Sequence, residues 1–460
     1  MSFAERFEKA FHFLLPAPFT IAVILTLITV VMALLYGEPG PDGTSIIAVL
    51  DQWQQGLWNP PLLVFALQMM LILVLGHTLA LSPAVNQFIN RITGLASNPA
   101  KAAFLVSFFT ILVAFFNWGL GLIFGAIMVR KTGERFAREG KPLNYPLIGA
   151  AGYSGMMVWH GGISGSAPIK VAESGHLTQL MQGFWSEGQL AALPDAIPIS
   201  QTVFGTMNLT ASVALLLIIP GVMALIALRA SGHSATPRAQ PLNLDMESES
   251  LRGAEKLDNS RLFAWFFATM ILGYALYMAV TGPPGLSFIT LNYVNFVLLG
   301  LGLLLHGSFK KFVRAVEQAI GGAAGILIQF PLYFGIMGIM AASGLIVKIS
   351  DFFISVSGPE SFPIFTLLSA GLVNVFVPSG GGQWAVQGPI IIEAASQLQL
   401  SLPRCIMALA YGDQLTNMLQ PFWALPLLGI TGLKAREILP YTLVLLSLGT
   451  VLFIGILLIF

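Results

Sequence analysis

The chain has 460 residues, of which 56% are hydrophobic and only 9% charged, and its formal net charge is +1. Because soluble domains carry roughly 25% charged residues, this composition excludes a soluble protein. The small net charge excludes the strongly basic surface that nucleic-acid binding requires. A single cysteine, Cys405, excludes an internal disulfide and a cysteine-based metal cluster. The sequence therefore predicts an all-α polytopic protein embedded in the lipid bilayer.

Nine segments are apolar enough to cross a bilayer, which takes about 20 residues of helix. The first of them, residues 16–36, is followed by no clear cleavage site of small residues, so we interpret it as a retained helix rather than a signal peptide. The predicted spans cover residues 16–36, 61–82, 145–172, 203–228, 261–281, 286–305, 321–347, 403–430 and 437–460.

Two further apolar segments, residues 101–130 and 362–396, fit poorly as single spans because glycines interrupt them midway, in FFNWGLG and VPSGGGQ. We interpret both as re-entrant hairpins that enter and leave the membrane on the same side. With this topology all 22 basic residues except Lys170, Lys348 and Arg404 lie in the inner loops, as the positive-inside rule requires. The N-terminus is then cytoplasmic and the C-terminus periplasmic.

The two hairpins are related by an internal repeat. A shift of 261 residues aligns Gly119 with Gly380 and Gly121 with Gly382, and the order span, hairpin, interrupted span, span occurs twice. An odd number of spans separates the two units, so the second is inserted upside down, as in secondary transporters with broken helices. The predicted units are a scaffold helix and periplasmic loop (1–60), repeat one (61–228), a cytoplasmic linker with scaffold helices (229–320) and repeat two (321–460).

The glycine-rich tips indicate a ligand site. A hairpin tip leaves N–H groups without partners at the start of its second helix, where the helix dipole adds partial positive charge. Glycines let a ligand approach that backbone closely. The stretch from Gly380 to Gln383, with its counterpart from Asn117 to Gly121, is therefore a candidate anion cradle. The alternative is a glycine-rich packing surface or a plain loop.

Polar residues inside the spans supply further candidates. Asp413 is the only acidic residue that the topology places well inside the membrane, where a carboxylate is costly unless it is protonated, paired or bound to a cation. With Thr416 and Asn417 it is a candidate cation-coupling site; the alternative is a helix cap. His160, in the equivalent interrupted span, is either a packing residue or a ligand or proton carrier.

The remaining candidates share a position at the tips or in the interrupted span and would face substrate; helix packing or bridging between helices is the alternative for each. No Lys or Arg is predicted at membrane depth, so the backbone N–H groups and half-helix dipoles would hold a single carboxylate. The candidate substrate-binding residues are Asn117, Trp118, Gly119, Gly121, His160, Ser164, Ser166, Ser379, Gly380, Gly381, Gly382, Gln383, Trp384 and Gln387.

Three motifs, GYSGMMVWHGGISGSAPIKVAE, VFVPSGGGQWAVQGPIIIEAA and YGDQLTNMLQPFWALPLLGI, together resemble the short-chain fatty acid transporter family of the ion-transporter superfamily. The resemblance covers essentially the whole chain. It implies uptake of small monocarboxylates such as acetoacetate or butyrate across a bacterial inner membrane, by a homodimer with an elevator-like motion.

One departure from the superfamily concerns the coupling ion. Sodium-binding dicarboxylate carriers place Ser-Asn-Thr at both tips, whereas this chain has Asn117-Trp118-Gly119 and Ser379-Gly380-Gly381. That motif therefore does not support sodium here, and a proton is slightly favoured over sodium. No other cofactor is expected.

Other functions remain as alternatives. A carrier for another small organic anion, of the dicarboxylate or aminobenzoyl-glutamate type, is the nearest of them. An intramembrane enzyme lacks support because the chain contains no nucleophile elbow and no H-E-x-x-H spacing. A channel is disfavoured because channel filters are usually repeated around a multimeric pore.

Overall fold

The computed structural model describes residues 18–38, 45–182, 185–229, 253–282, 288, 290–420 and 422–460. Within these residues the chain folds into helices and turns without a β-strand. Seven of the described helices are long and apolar enough to cross a membrane by length and composition. The predicted class, an all-α polytopic membrane protein, is confirmed.

Four helices form the N-terminal part: α1 (Pro18–Tyr36), α2 (Ile46–Leu57), α3 (Pro60–Leu81) and α4 (Pro83–Gly94). The start of α3 is fixed by the Asn59 side chain, which accepts the Leu62 N–H at 3.3 Å, and by prolines in the first turn. Ser82 separates α3 from α4, and Pro83, which has no N–H to donate, begins the new helix.

The first predicted hairpin consists of α5 (Pro99–Phe116) and α6 (Trp118–Arg138), which a single extended residue, Asn117, separates. The Asn117 side chain accepts the Leu120 N–H at 2.9 Å and so caps α6. Helix α6 continues eight residues beyond the predicted end at residue 130, because buried Arg130 is paired with Glu134 at 2.9 Å within it.

The predicted span 145–172 is broken, as the repeat order with its interrupted span predicted. It comprises α7 (Tyr145–Tyr153), a 3₁₀ turn (Ser154–Met157), irregular turns and α8 (Ala167–Lys170). The chain then continues through α9 (His176–Met181), α10 (Glu187–Ala191) and α11 (Thr206–Arg229). Leu177 and Met181 of α9 are buried against the second half of the molecule, in a cluster with Trp384 and Ile392.

The middle of the chain contains α12 (Glu255–Asp258), α13 (Arg261–Thr281), α14 (Leu291–His306), α15 (Phe309–Ala319), a 3₁₀ turn (Ile320–Ala323), α16 (Ala324–Ala342) and α17 (Leu345–Ser355). The predicted spans 261–281 and 286–305 correspond to α13 and α14. Helices α2, α4, α15 and α17 were not predicted as separate elements. They are short and mix apolar with polar residues, so a search for long apolar stretches does not find them.

The second predicted hairpin consists of α18 (Phe362–Phe376) and α19 (Gly380–Gln397), with Val377 to Ser379 between them. It is followed by α20 (Leu402–Thr416), α21 (Leu425–Thr431) and α22 (Ala435–Ile459). The predicted span 403–430 is thus interrupted between α20 and α21. Helix α18 packs along α20, where the Thr416 hydroxyl donates to the Gly371 carbonyl at 2.9 Å.

The same order of elements occurs in both halves: a long helix, a short helix, two helices joined at a break, a broken helix and a long helix. The two broken helices meet each other. The Tyr411 hydroxyl donates to Asn208 Oδ1 in the neighbouring helix α11 at 3.2 Å, and the Tyr153 hydroxyl of the first broken helix donates to the Asn417 carbonyl at the break of the second at 3.0 Å. This contact brings the interrupted segments of the two repeats together in the interior.

Candidate functional site

The centre of the site is a buried histidine–aspartate pair formed by one residue from each broken helix. His160 Nδ1 contacts Asp413 Oδ2, and neither side chain has any exposed surface. The Ala167 N–H donates to His160 Nε2 at 3.1 Å, so this nitrogen carries no proton and the ring proton lies on Nδ1, which donates to the carboxylate. Asp413 Oδ1 is buried and has no hydrogen-bond partner in the described part of the chain.

The backbone around His160 is held by Gln414, a residue that the sequence analysis did not identify. Gln414 Oε1 accepts the N–H groups of both His160 and Gly161, each at 3.1 Å. The Trp159 ring stacks on the imidazole with 4.6 Å between ring centroids. The irregular backbone of repeat one is therefore fixed by the residue that follows Asp413 in repeat two.

The tip of the second hairpin lies directly against this pair. A Cβ atom at Gly380 would lie 2.8 Å from His160 Cε1, 2.8 Å from Trp159 Cη2 and 3.0 Å from Asp413 Oδ2. Any side chain at Gly380 would therefore displace the pair. The close approach, and not a left-handed backbone, requires glycine here, since none of the three tip glycines has a positive φ.

The start of α19 presents free backbone donors. Ser379 Oγ accepts the Gly382 N–H at 3.2 Å, whereas the N–H groups of Gly380 and Gly381 have no hydrogen-bond partner among the described residues. Gly381 is exposed, and a Cβ atom there would approach only Ser166 Oγ, at 3.9 Å. The anion cradle between Gly380 and Gln383 stays a prediction, and these two N–H groups are the donors that it would use.

A cluster of oxygen atoms lies next to Asp413. Asn374 Nδ2 is 2.8 Å from the Asp413 carbonyl, 3.0 Å from Thr416 Oγ1 and 2.9 Å from Asn417 Oδ1. An amide nitrogen has only two hydrogens, so it can satisfy two of these three oxygens. Asn374 was not identified from the sequence, although it directly precedes the stretch VFVPSGGG. Its side chain contacts both predicted residues, Thr416 and Asn417.

The family of the chain follows from its similarity to known proteins. A family model described as "Short chain fatty acid transporter" matches residues 3–460. The chain belongs to this family. Two relatives, from Escherichia coli (strain K12) and Haemophilus influenzae (strain ATCC 51907 / DSM 11121 / KW20 / Rd), are each 36% identical over 445 residues. The alignments cover 96% of this chain and 95% of each relative, and both relatives carry the name "Putative short-chain fatty acid transporter".

Among solved structures, MtrF of Neisseria gonorrhoeae, described as illuminating a class of antimetabolite efflux pumps, is similar over 99% of this chain and 97% of its own. The identity is 15% and the TM-score 0.45, too low to bear on function. The family membership confirms the sequence-based recognition and shows a transporter, not an enzyme.

In this member of the short-chain fatty acid transporter family, the first hairpin tip contributes the ring of Trp118 to a cluster of aromatic side chains. The Trp118 ring lies 5.9 Å from that of Trp159 and 4.9 Å from that of Trp423, between ring centroids. The backbone N–H of Trp118 donates to Ser164 Oγ at 2.9 Å. Trp423 was not identified from the sequence, because its contact with Trp118 joins residues far apart along the chain.

Three predicted residues of α19 make internal contacts instead of facing the tip. Gln383 Nε2 donates to the Ala370 carbonyl at 2.8 Å and to Gln387 Oε1 at 2.7 Å. Gln387 Nε2 donates to Ser369 Oγ at 3.1 Å, so both glutamines link α19 to α18. Trp384 is buried and contacts α9, away from the His160–Asp413 pair.

Two further tip residues, Gly119 and Gly121, are buried inside the first hairpin. A Cβ atom at Gly121 would lie 2.5 Å from Ala114 Cα in the opposite arm. This glycine allows the two arms to pack closely.

Proposed function

We propose that the chain takes up a short-chain monocarboxylate, such as butyrate or acetoacetate, together with one proton. The family supplies the substrate class, and the observation that carries the coupling is the contact of the Gly380 tip with the His160–Asp413 pair. A substrate carboxylate would accept the free N–H groups of Gly380 and Gly381 at the start of α19.

The position of Asp413 makes substrate binding depend on a cation. A substrate carboxylate at the tip would lie close to the buried Asp413 carboxylate, and two such charges about 4 Å apart repel by roughly 4 kcal/mol at the effective dielectric of a protein interior. A proton on the pair removes this repulsion. The proton goes to Asp413 Oδ1, which is without a partner, because the Ala167 N–H blocks His160 Nε2.

Sodium is the second candidate for the coupling ion, and the oxygen cluster at Asn374 favours it. If the Asn374 amide were reversed, its Oδ1 would join the Asp413 carbonyl, Thr416 Oγ1 and Asn417 Oδ1 as a fourth oxygen around one point. Oxygen ligands of this kind suit a hard cation. The proton remains favoured because the Asp413 carboxylate itself lies against the tip, with Oδ2 3.0 Å from a Cβ atom at Gly380. The cluster, by contrast, is already occupied by an amide nitrogen.

Several finer features remain predictions. The hairpins are expected to be re-entrant, the N-terminus cytoplasmic and the C-terminus periplasmic, in a bacterial inner membrane. A homodimer whose substrate-binding part moves as an elevator is expected from the resemblance to the superfamily. A dicarboxylate or aminobenzoyl-glutamate-like substrate is not favoured by the family to which the chain belongs.

The test is uptake of radiolabelled butyrate into proteoliposomes under separately imposed gradients. We expect an acid-outside gradient in sodium-free buffer to drive accumulation that saturates with butyrate and is absent from protein-free liposomes. Accumulation that requires sodium and ignores the pH gradient would assign the coupling to sodium. Failure of the protein to accumulate or exchange butyrate or acetoacetate under either gradient would contradict the proposed function.

A further inference from the structure

A second candidate binding site lies away from the hairpin tip. A cavity of about 210 Å³ opens between α1, the break between α20 and α21, and the start of α22. Most of its wall is apolar, with side chains such as Ile21, Leu25 and Leu439, and the polar exceptions include Gln420 and Arg436. Its volume is below the roughly 300–1,000 Å³ of pockets for drug-sized ligands, so it suits a small molecule.

Arg436 supplies a positive charge that the sequence analysis did not expect beside a cavity. It was predicted in an inner loop, but the structure places it in the first turn of α22, because that helix begins at Ala435. Its Nε atom is buried and has no hydrogen-bond partner among the described residues. Its neighbour Glu437 forms no ion pair with it in the described part of the chain, and Glu437 Oε2 accepts the Lys434 backbone N–H at 2.7 Å.

A guanidinium with a buried, unsatisfied donor is costly unless a partner fills the site. A carboxylate is the partner that matches its planar pair of donors. Gln420 also lines this cavity, but its unpartnered Oε1 is an acceptor and its Nε2 is already bonded to Asn374 and Asn417, so it does not hold a carboxylate. The cavity therefore combines one anion-binding group with an apolar volume. This combination fits a molecule with one carboxylate on a short alkyl chain, whereas the second carboxylate of a dicarboxylate would have no partner.

We propose that this cavity binds a short-chain monocarboxylate, with the carboxylate on Arg436 and the alkyl chain along α1 and Leu439, as a staging site beside the coupling site. The choice of ligand rests on the proposed function. The cavity adjoins the coupling site, since Tyr153 lines it and donates to the Asn417 carbonyl. In the predicted topology it faces the cytoplasmic end, where a substrate would leave the tip.

The test uses a thiol placed in the cavity wall, in the full chain reconstituted in liposomes. The single native cysteine, Cys405, is completely buried, so it gives little background. We expect butyrate at saturating concentration to slow alkylation of Leu439→Cys by N-ethylmaleimide at least fivefold. Butyramide, which has the same shape without the charge, should have no effect.

Three variants in the Leu439→Cys background assign the effect to Arg436. Arg436→Gln should abolish protection, and Arg436→Lys, which keeps the charge, should retain part of it. Lys434→Gln removes an exposed charge two residues away, outside the cavity, and should leave protection intact.

Protection that persists in Arg436→Gln, or equal protection by butyramide, would overturn the staging site. So would a thiol that stays unreactive with and without butyrate, because a lipid chain would then fill the cavity. Failure of this site is distinguishable from failure of transport. Loss of protection with intact butyrate uptake overturns the staging site alone, whereas intact protection without uptake overturns only the proposed transport.

Discussion

The two hairpin tips are built on the same plan but have different surroundings. At the first tip, the break is a single residue, Asn117, and the Trp118 N–H is satisfied by Ser164. At the second tip, the break is longer, and the N–H groups of Gly380 and Gly381 have no partner in the described part of the chain. Among the described residues the first tip thus leaves one backbone N–H group without a partner, that of Gly119, whereas the second leaves two for a ligand.

This difference indicates that the two repeats have divided their roles. Gly121 lies against the opposite arm of its own hairpin, while Gly380 lies against the His160–Asp413 pair. The first glycine serves packing and the second brings backbone donors to a charge. Both repeats therefore keep the helix break, whereas the residues that contact each break determine what that break does. The predictions below test this division, beginning with the largest expected effect.

The His160–Asp413 pair under the second tip gives the largest expected effect. Asp413→Asn should reduce concentrative butyrate uptake at least tenfold, because an amide cannot take up the coupling proton, while exchange of substrate across the membrane is retained. The measurement is radiolabelled uptake and counterflow in proteoliposomes. Glu393→Gln is the matched control, since Glu393 is an exposed acid on α19, remote from the pair.

Accumulation by Asp413→Asn equal to that of the parent would show that Asp413 is a helix cap. The coupling site would then have to lie elsewhere, and the special role given to the second tip would be lost.

Substitution of the two tip glycines should have different effects on the protein. In Gly380→Ala the added methyl group would press on His160, Trp159 and Asp413, so uptake per folded molecule should fall about tenfold or more while the fold remains. In Gly121→Ala the methyl group would meet the backbone of Ala114, so the free energy of unfolding should fall by about 1–3 kcal/mol.

Thermal unfolding and uptake normalised to folded protein separate the two effects. Gly221→Ala is the control, because nothing lies within 4 Å of a Cβ atom at Gly221. If Gly380→Ala loses only stability, or Gly121→Ala loses only uptake, the proposed division between the tips is wrong.

The sequence predicted the membrane class, the helix breaks and the burial of Asp413, because each is encoded locally, while the coupling role of Asp413 stays a prediction. Long apolar runs, clustered glycines and an isolated acid in an apolar segment are visible without coordinates. It could not predict that Asp413 pairs with His160 or that Gly380 contacts both, since these residues are far apart along the chain. It also missed Asn374, Gln414 and Arg436, whose roles come from contacts between elements.

The oxygen cluster at Asn374 gives a smaller expected effect. Asn374→Ala removes the donor shared by the Asp413 carbonyl, Thr416 and Asn417, so the free energy of unfolding should fall by about 1–3 kcal/mol. Uptake driven by a pH gradient should persist, because Asp413 Oδ1 is untouched. If sodium stimulates the parent and Asn374→Ala abolishes only that stimulation, sodium is the coupling ion instead.

The smallest expected effect concerns the contact that holds the second hairpin to α9. Trp384 Nε1 donates to His176 Nε2 at 3.0 Å, which requires that nitrogen to be unprotonated. Burial lowers the pKa of His176 below its usual value of 6.5, with Lys170 adding to this effect and Glu173 opposing it. The contribution of the bond to stability is therefore complete above pH 6.5 and is lost as the pH falls through the lowered pKa.

We expect the thermal unfolding midpoint of the parent to fall between pH 8 and pH 5 by roughly 1–3 °C more than that of His176→Gln, since one hydrogen bond contributes only a small part of the stability. Glutamine offers Trp384 an acceptor that does not titrate in this range, so its bond survives acidification. Trp384→Phe removes the donor but leaves His176 in place, so it should keep the part of the pH dependence that comes from the burial of His176. A parent and a His176→Gln protein with the same pH dependence would show that titration of His176 does not weaken the contact between the second hairpin and α9.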